Sequence, residues 1–158
     1  MSKVRYIPEG YHTITPSLVI HGAAAAIDFY KKVLGAKEVM RMAMGGNKIG
    51  HAELQIGTSK LMLADDFPEM GACSPPVGSN SPVTIFLYVE DCDKTFNTAV
   101  AAGAKALMPP ADMFWGDRFC KFQDPFGHNW AAATHIEDVP PEEMPKRQAA
   151  AMAAMGHK

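Results

Sequence analysis

From residue 49 to 56 apolar and polar positions alternate. Ala52, Leu54 and Ile56 fall on one side of the chain, and His51, Glu53 and Gln55 on the other. A period of two predicts a strand with one face in a core and the other open. Residues 23–34 carry a different period. Ala26, Ile27, Tyr30, Val33 and Leu34 recur at steps of three and four, which predicts an amphipathic helix. Gly35 supplies a residue able to end it in a left-handed conformation. Further strands are expected at 13–20, 38–44 and 60–64, with turns at Gly45-Gly46-Asn47 and Gly57-Thr58-Ser59. Pro16 marks the first of these strands as an edge or a bulge.

The pattern then returns. Leu34-Gly35-Ala36-Lys37-Glu38-Val39-Met40 is echoed 68 positions later by Ala102-Gly103-Ala104-Lys105-Ala106-Leu107-Met108. An apolar run at 84–89 leads into a second helix at 92–102, with Asp91 placed to cap it and Phe96, Ala99, Val100 and Ala102 as its buried stripe. Strands are expected at 106–114, 118–123 and 128–134, the first bulged or at an edge because of Pro109-Pro110. Trp115-Gly116-Asp117 and Asp124-Pro125-Phe126-Gly127 read as turns. Each copy is β-α-β-β-β. Two copies are too few for a stacked solenoid and predict one pseudo-symmetric α+β domain with a site between its halves. Its parts are module 1 at about 13–65, a proline-rich linker at 66–82, module 2 at about 83–134 and a tail at 135–158. A final helix is expected at 140–155, with Ala/Met faces suited to pack across a dimer or back onto the sheet.

Composition narrows the function. The 158 residues fit one domain. A formal charge of −2 and a pI near 6.3 give no electrostatic footprint for nucleic acid. No basic cluster or long apolar span argues for a membrane. Residues 1–12 lack the apolar stretch of a secretory leader. Cys73, Cys92 and Cys120 are odd in number and scattered, so they read as reduced thiols of a cytoplasmic protein. The eleven methionines are expected mostly to fill the core, the alternative being an adaptable apolar pocket or interface.

Two segments, Ala26-Ile27-Asp28-Phe29-Tyr30-Lys31-Lys32-Val33-Leu34-Gly35-Ala36 and Asp124-Pro125-Phe126-Gly127-His128-Asn129-Trp130, resemble the vicinal-oxygen-chelate superfamily. That group includes glyoxalase I, bleomycin-resistance proteins and extradiol dioxygenases. His51-Ala52-Glu53, Leu63-Ala64-Asp65, Trp115-Gly116-Asp117-Arg118 and Thr134-His135-Ile136-Glu137-Asp138 are similar to its PhnB-like branch. The resemblance covers residues 13–144 and implies two modules forming a curved eight-stranded mixed sheet around a cleft. In enzymes of the glyoxalase I type, His or Glu ligands from the first and last strands of each module hold a divalent ion. On this chain those positions are Thr15 and Met62 in one copy, Thr84 and Ala131 in the other, with Thr15 and Thr84, and likewise Met62 and Ala131, 69 apart. A hydroxyl, a thioether and a methyl group do not replace imidazole or carboxylate. The resemblance therefore implies a homodimer without the usual metal cofactor, binding a small molecule as bleomycin-resistance proteins do.

Strand alternation places Thr15, Ser17, His51, Glu53, Met62, Thr84, Phe86, Tyr88, Phe119, Lys121 and Ala131 on the cleft side. Trp115 offers a ring for a flat ligand, and Arg118 a fork for a carboxylate or phosphate. Alternatively, Asp117 and Arg118 only brace a hairpin. His51 and Glu53 could form an acid/base pair, or half of a displaced metal site in a lyase, isomerase or dioxygenase. The plainer reading is a hydrogen-bonded pair on a sheet face. His128 and Trp130 are expected to support the last turn and strand. His12, His21 and His135 have no evident partner in the sequence. Gly156-His157-Lys158 reads as a frayed end, and no Ser-His-Asp order or phosphate-binding glycine loop stands out.

Overall fold

The computed structural model describes residues 4–156; residues 1–3 of the lead-in, and His157 and Lys158 of the expected frayed end, lie outside the described residues. In chain order the elements are β1 (Ser17–Ile20), α1 (Ala23–Leu34), β2 (Lys37–Ala43), β3 (Ile49–Ile56), β4 (Ser59–Asp65), β5 (Thr84–Tyr88), α2 (Cys92–Ala101), β6 (Lys105–Asp112), β7 (Asp117–Gln123), β8 (Asn129–His135) and α3 (Met144–Met155). The strands form two four-stranded mixed sheets, ordered β1-β4-β3-β2 and β5-β8-β7-β6. The chain divides into two compact units. One reaches to Asn80 and includes Pro125–Gly127; the other holds Ser81–Asp124 and the chain from His128 onward.

In the first unit β1 runs parallel to β4, and β4-β3-β2 are antiparallel. The alternating pattern sends Leu18, Ile20, Ala52, Leu54, Leu61 and Leu63 to one side, against Ala26, Ile27, Tyr30 and Val33 of α1. Each fully buried aliphatic side chain there contributes about 1.5–3 kcal/mol. Ser17, Met62, Glu53 and Met40 form a row across the opposite, open side.

The second unit repeats this construction. Ser17 pairs with Met62 in the first sheet, and Phe86 pairs with Ala131, each 69 residues on, in the second. Trp130, Phe122, Cys120, Ala132, Cys92, Phe96 and Ala99 make its core. The helix starts are also equivalent. α1 begins after Gly22, which is left-handed (φ 89) and offers no side-chain cap. The cap comes instead from Asp65 at the end of β4. Its Oδ1 accepts the Gly22 and Ala23 N–H groups at 3.0 Å, and its Oδ2 accepts the Ile49 N–H at 2.7 Å. In α2, Asp91 caps as expected, accepting the Lys94 N–H at 2.9 Å. Thr134, 69 positions after Asp65, accepts the Cys92 N–H at 2.9 Å and donates to the Val89 carbonyl at 3.0 Å. A carboxylate in one copy and a hydroxyl in the other thus satisfy donors that a helix start leaves unpaired.

Four sequence expectations are corrected. β1 starts at Ser17 rather than residue 13: Pro16 has no N–H to give, and its carbonyl accepts the Met62 N–H at 2.9 Å. α3 starts at Met144, next to Pro145, because proline fits only the first turn of a helix. Val100 is 40% exposed, so the buried stripe of α2 is Cys92, Phe96 and Ala99. Among the described residues no methionine belongs to the buried core; Met40, Met42, Met44, Met70, Met108, Met152 and Met155 are exposed. Several sit on or beside β2 and β6, the outermost strands of their sheets, which bury no residue. The expected bulge in β6 is present, with register shifts on both sides of Met108.

Candidate functional site

On the open side of the first sheet, the lead-in to β1 forms one wall of an open cavity of about 560 Å³. Tyr6, Ile7, Pro8, Tyr11 and His12 stand on one side, Thr15, Glu53 and Met62 on the other. The Tyr11 hydroxyl donates to Glu53 Oε2, and His51 Nε2 lies 3.0 Å from Glu53 Oε1. Lys60 stands 5.5 Å from the Tyr11 ring centroid. The single carboxylate facing this cavity is therefore bracketed by a phenol and an imidazole.

The open side of the second sheet is aromatic. Phe86 and Tyr88 from β5 lie 5.1 Å apart by ring centroid, and Phe86 stacks on Phe119 of β7 at 5.8 Å. β8 separates β5 from β7, so these rings meet across it. They can do so because β8 presents only Ala131 and Ala133 there, both essentially buried. Trp115 meets Phe119 edge-on at 5.8 Å and Phe114 at 5.1 Å. Phe86 is 46% and Tyr88 69% exposed, an unusual burden of aromatic surface in water.

Asp117 organises this cluster from below. It is 3% exposed. Its Oδ2 accepts Trp115 Nε1–H at 3.0 Å and lies 3.5 Å from the Tyr88 hydroxyl, while Oδ1 lies 2.8 Å from His135 Nδ1. His135 Nε2 is 2.9 Å from Asp138. Asp138 and then Asp117 push the His135 imidazole above its ordinary value by hydrogen bonding. Gly116 makes the turn possible: at φ +100 it takes a conformation that L side chains rarely adopt, and a Cβ would lie 2.1 Å from the Glu137 carbonyl oxygen.

Of the two readings of Arg118, a fork for a ligand and a brace for the hairpin, its contacts fit the second. Cys120 and Phe122, of the same strand parity, point into the core, and Arg118 points to that side too. Its guanidinium holds Asp93 of α2 at 2.5 and 2.8 Å and Asp112 of β6 at 2.9 Å. That pairing holds the Asp93 carboxyl below its ordinary range. Phe119 and Lys121 have the other parity and share the open side with Phe86 and Tyr88. Thr84 stands at the exposed start of β5, and Ala131 forms the floor under the rings. Thr15 and Met62 line the first unit's cavity.

None of Thr15, Met62, Thr84 and Ala131 offers an imidazole or a carboxylate to a divalent ion. Ala131 has no donor atom, Met62 has a thioether, and Thr15 and Thr84 have neutral hydroxyls. Among the described residues no group of three or more His, Cys, Asp or Glu is arranged to hold a metal ion. Burial pushes the Cys92 thiol up to about 12 and raises Cys120 as well, which disfavours their thiolates.

Sequence reasoning missed Tyr11, which lies in a lead-in without periodicity, and the linking role of His135. His135 does have one local signal, an aspartate three residues on. His21 also has a partner that spacing hides: Asp66, at 3.1 Å across 45 residues. Trp130 and His128 support the last turn as expected, each donating an N–H to Asp124 at 2.9 Å.

Residues 12–132 match the Glyoxalase/Bleomycin resistance protein/Dioxygenase superfamily. Mb0911c, an uncharacterized protein of Mycobacterium bovis, is 38% identical over 146 residues, spanning 90% of this chain and 93% of its own. The crystal structure of PA1353 from Pseudomonas aeruginosa aligns with a TM-score of 0.66 and 27% identity, over 80% of this chain and 99% of that one. A PhnB protein from Bacillus cereus shares the fold at a TM-score of 0.62 and 18% identity, over 78% of this chain and 99% of its own. With its two βαβββ modules and this match over most of its length, the chain belongs to the glyoxalase/bleomycin resistance/dioxygenase superfamily.

Proposed function

We propose that this chain is a binding protein that holds a small, partly aromatic molecule on the open face of its second module without a metal ion. The observation that carries this reading is the exposed cluster of Phe86, Tyr88, Phe119 and Trp115 over an alanine floor. Aromatic faces with a few fixed polar groups suit small-ligand recognition. Asp117 holds the Trp115 ring in one orientation, which lowers the ordering cost of binding. The donor chemistry of Thr15, Met62, Thr84 and Ala131 favours binding over metal-assisted catalysis. A homodimer accompanies this reading: α3 buries none of its residues within the chain, and a 12-residue helix alone is marginal in water. Elution at the monomer mass in gel filtration removes that part.

The test is a thermal-shift screen with planar aromatic compounds on native protein and on Phe86→Ala and Trp115→Ala variants. The reading expects stabilisation that falls in both variants. Equal stabilisation in all three proteins contradicts it. Metal content after incubation with Zn, Ni, Mn and Fe(II) is expected to stay far below one ion per chain.

A second reading rests on the Tyr11–Glu53–His51 chain of contacts facing the first cavity. It would give an enzyme that moves a proton through Glu53, as a lyase or isomerase does. Turnover lost in Glu53→Gln but kept in Phe86→Ala would favour it.

A further inference from the structure

We infer that the ligand of the second module is an anion, a planar aromatic carboxylate whose acid group pairs with Lys121. This inference rests on the reading that the aromatic face is the binding site, and it adds the sign of the ligand's charge. Asp117, Lys121 and Lys105 fall on that face by register, and Lys121 shares its row with Phe86. Asp117 is fully engaged, by the Trp115 indole, the Tyr88 hydroxyl and the His135 imidazole. It is also buried, at 3% exposure. It has little left to offer a cationic ligand.

Lys121 is the opposite case. It lies in the middle of a row that crosses the sheet, Phe86–Ala131–Lys121–Met108, one residue from each strand. Its side chain has no hydrogen bond, ion pair or ring contact among the described residues, although Arg118 on the same strand pairs with two carboxylates, Asp93 of α2 and Asp112 of β6. The equivalent row in the first module, Ser17–Met62–Glu53–Met40, carries Glu53 where the second carries Lys121. There the charge has a phenol and an imidazole as neighbours. Here the row of the charge holds Phe86, the Ala131 floor and Met108, and the next row on that face holds Gln123 and Asn129, which bond to each other.

The spacing suits a flat acid. Lys121 stands two strand intervals from Phe86, roughly 10 Å, which is about the length of a two-ring aromatic acid. Its rings would stack against Phe86 and Tyr88, and its carboxylate would reach the Lys121 ammonium. A charge-assisted hydrogen bond on a partly dry face is worth more than one in open water. Met108, half-exposed on the far side of Lys121, adds an adaptable apolar edge.

The test compares three probes of one shape on the full chain at neutral pH: naphthoate, naphthalenemethanol and naphthylmethylammonium, by titration calorimetry. Naphthoate is expected to bind about tenfold or more tighter than the other two, with a preference that shrinks in high salt. Lys121→Gln should erase that preference while leaving the alcohol's affinity unchanged, which also shows that the variant is folded. Lys121→Glu should turn the preference toward the ammonium. An ammonium or alcohol that binds the native protein as well as naphthoate overturns the inference and leaves the aromatic site standing. So does a naphthoate preference that survives Lys121→Gln. Failure of all three probes to bind overturns the inference and the aromatic-face reading together.

Discussion

Arg118 and Lys121 stand three positions apart on β7, and strand parity gives them different work. Arg118 joins the sheet to α2 and β6 through Asp93 and Asp112; Lys121 faces the open side. Arg118→Ala is therefore expected to leave ligand affinity unchanged in the titration that detects the loss in Lys121→Gln. An equal loss in both variants would show that Arg118 reaches the ligand. His135 carries a pH dependence. Its imidazolium is favoured by Asp138 and Asp117, so its folded pKa is raised above the ordinary 6.5. The stabilisation is complete below that ordinary value and fades as pH rises through the folded one. Denaturant stability of the native protein should fall across that alkaline-side window relative to a His135→Gln variant; parallel curves would remove the effect. At this scale the sequence was legible where alternation decides, as for Phe119 and Lys121. For Arg118 the sequence left a ligand fork and a hairpin brace open, and its contact with Asp112 across the β6–β7 hairpin fits the brace. Tyr11 lay outside any period, so only folding could bring it to Glu53.

The two helix starts show how one element is built twice with different chemistry. Asp65 accepts three backbone N–H groups in the first module, and Thr134 accepts one in the second. Removing the carboxylate leaves more buried donors unpaired than removing the hydroxyl. Asp65→Ala is expected to cost about 2–3 kcal/mol, and Thr134→Val about 1 kcal/mol, by urea denaturation monitored through circular dichroism. A cost for Thr134→Val equal to or above that of Asp65→Ala contradicts the difference in donors that the two side chains satisfy. α1 and β3 were legible to the residue, because their periods are long and each is bounded by glycine. The ends of β1 and α3 were not, because Pro16 and Pro145 set them through a missing donor and a steric limit that periodicity does not report. The methionines misled for a related reason: composition counts apolar residues but does not say which strands are outermost.

For the whole molecule, the internal repeat is the feature that both sequence and structure share. A 69-residue offset relates the pairing of Ser17 with Met62 to that of Phe86 with Ala131, and relates Asp65 to Thr134. No described helix is long and apolar enough to cross a membrane. The two open sheet faces differ: one carries Glu53 beside Tyr11 and His51, the other Lys121 in a row with Phe86, near Tyr88 and Phe119. On the proposed reading this superfamily scaffold binds an aromatic molecule without metal and returns it unchanged. The decisive measurement is native mass spectrometry of chelator-treated protein with naphthoate. One unmodified ligand mass per chain and no metal mass are expected. No adduct, an adduct that forms only after a divalent ion is restored, or a ligand of altered mass would contradict that reading.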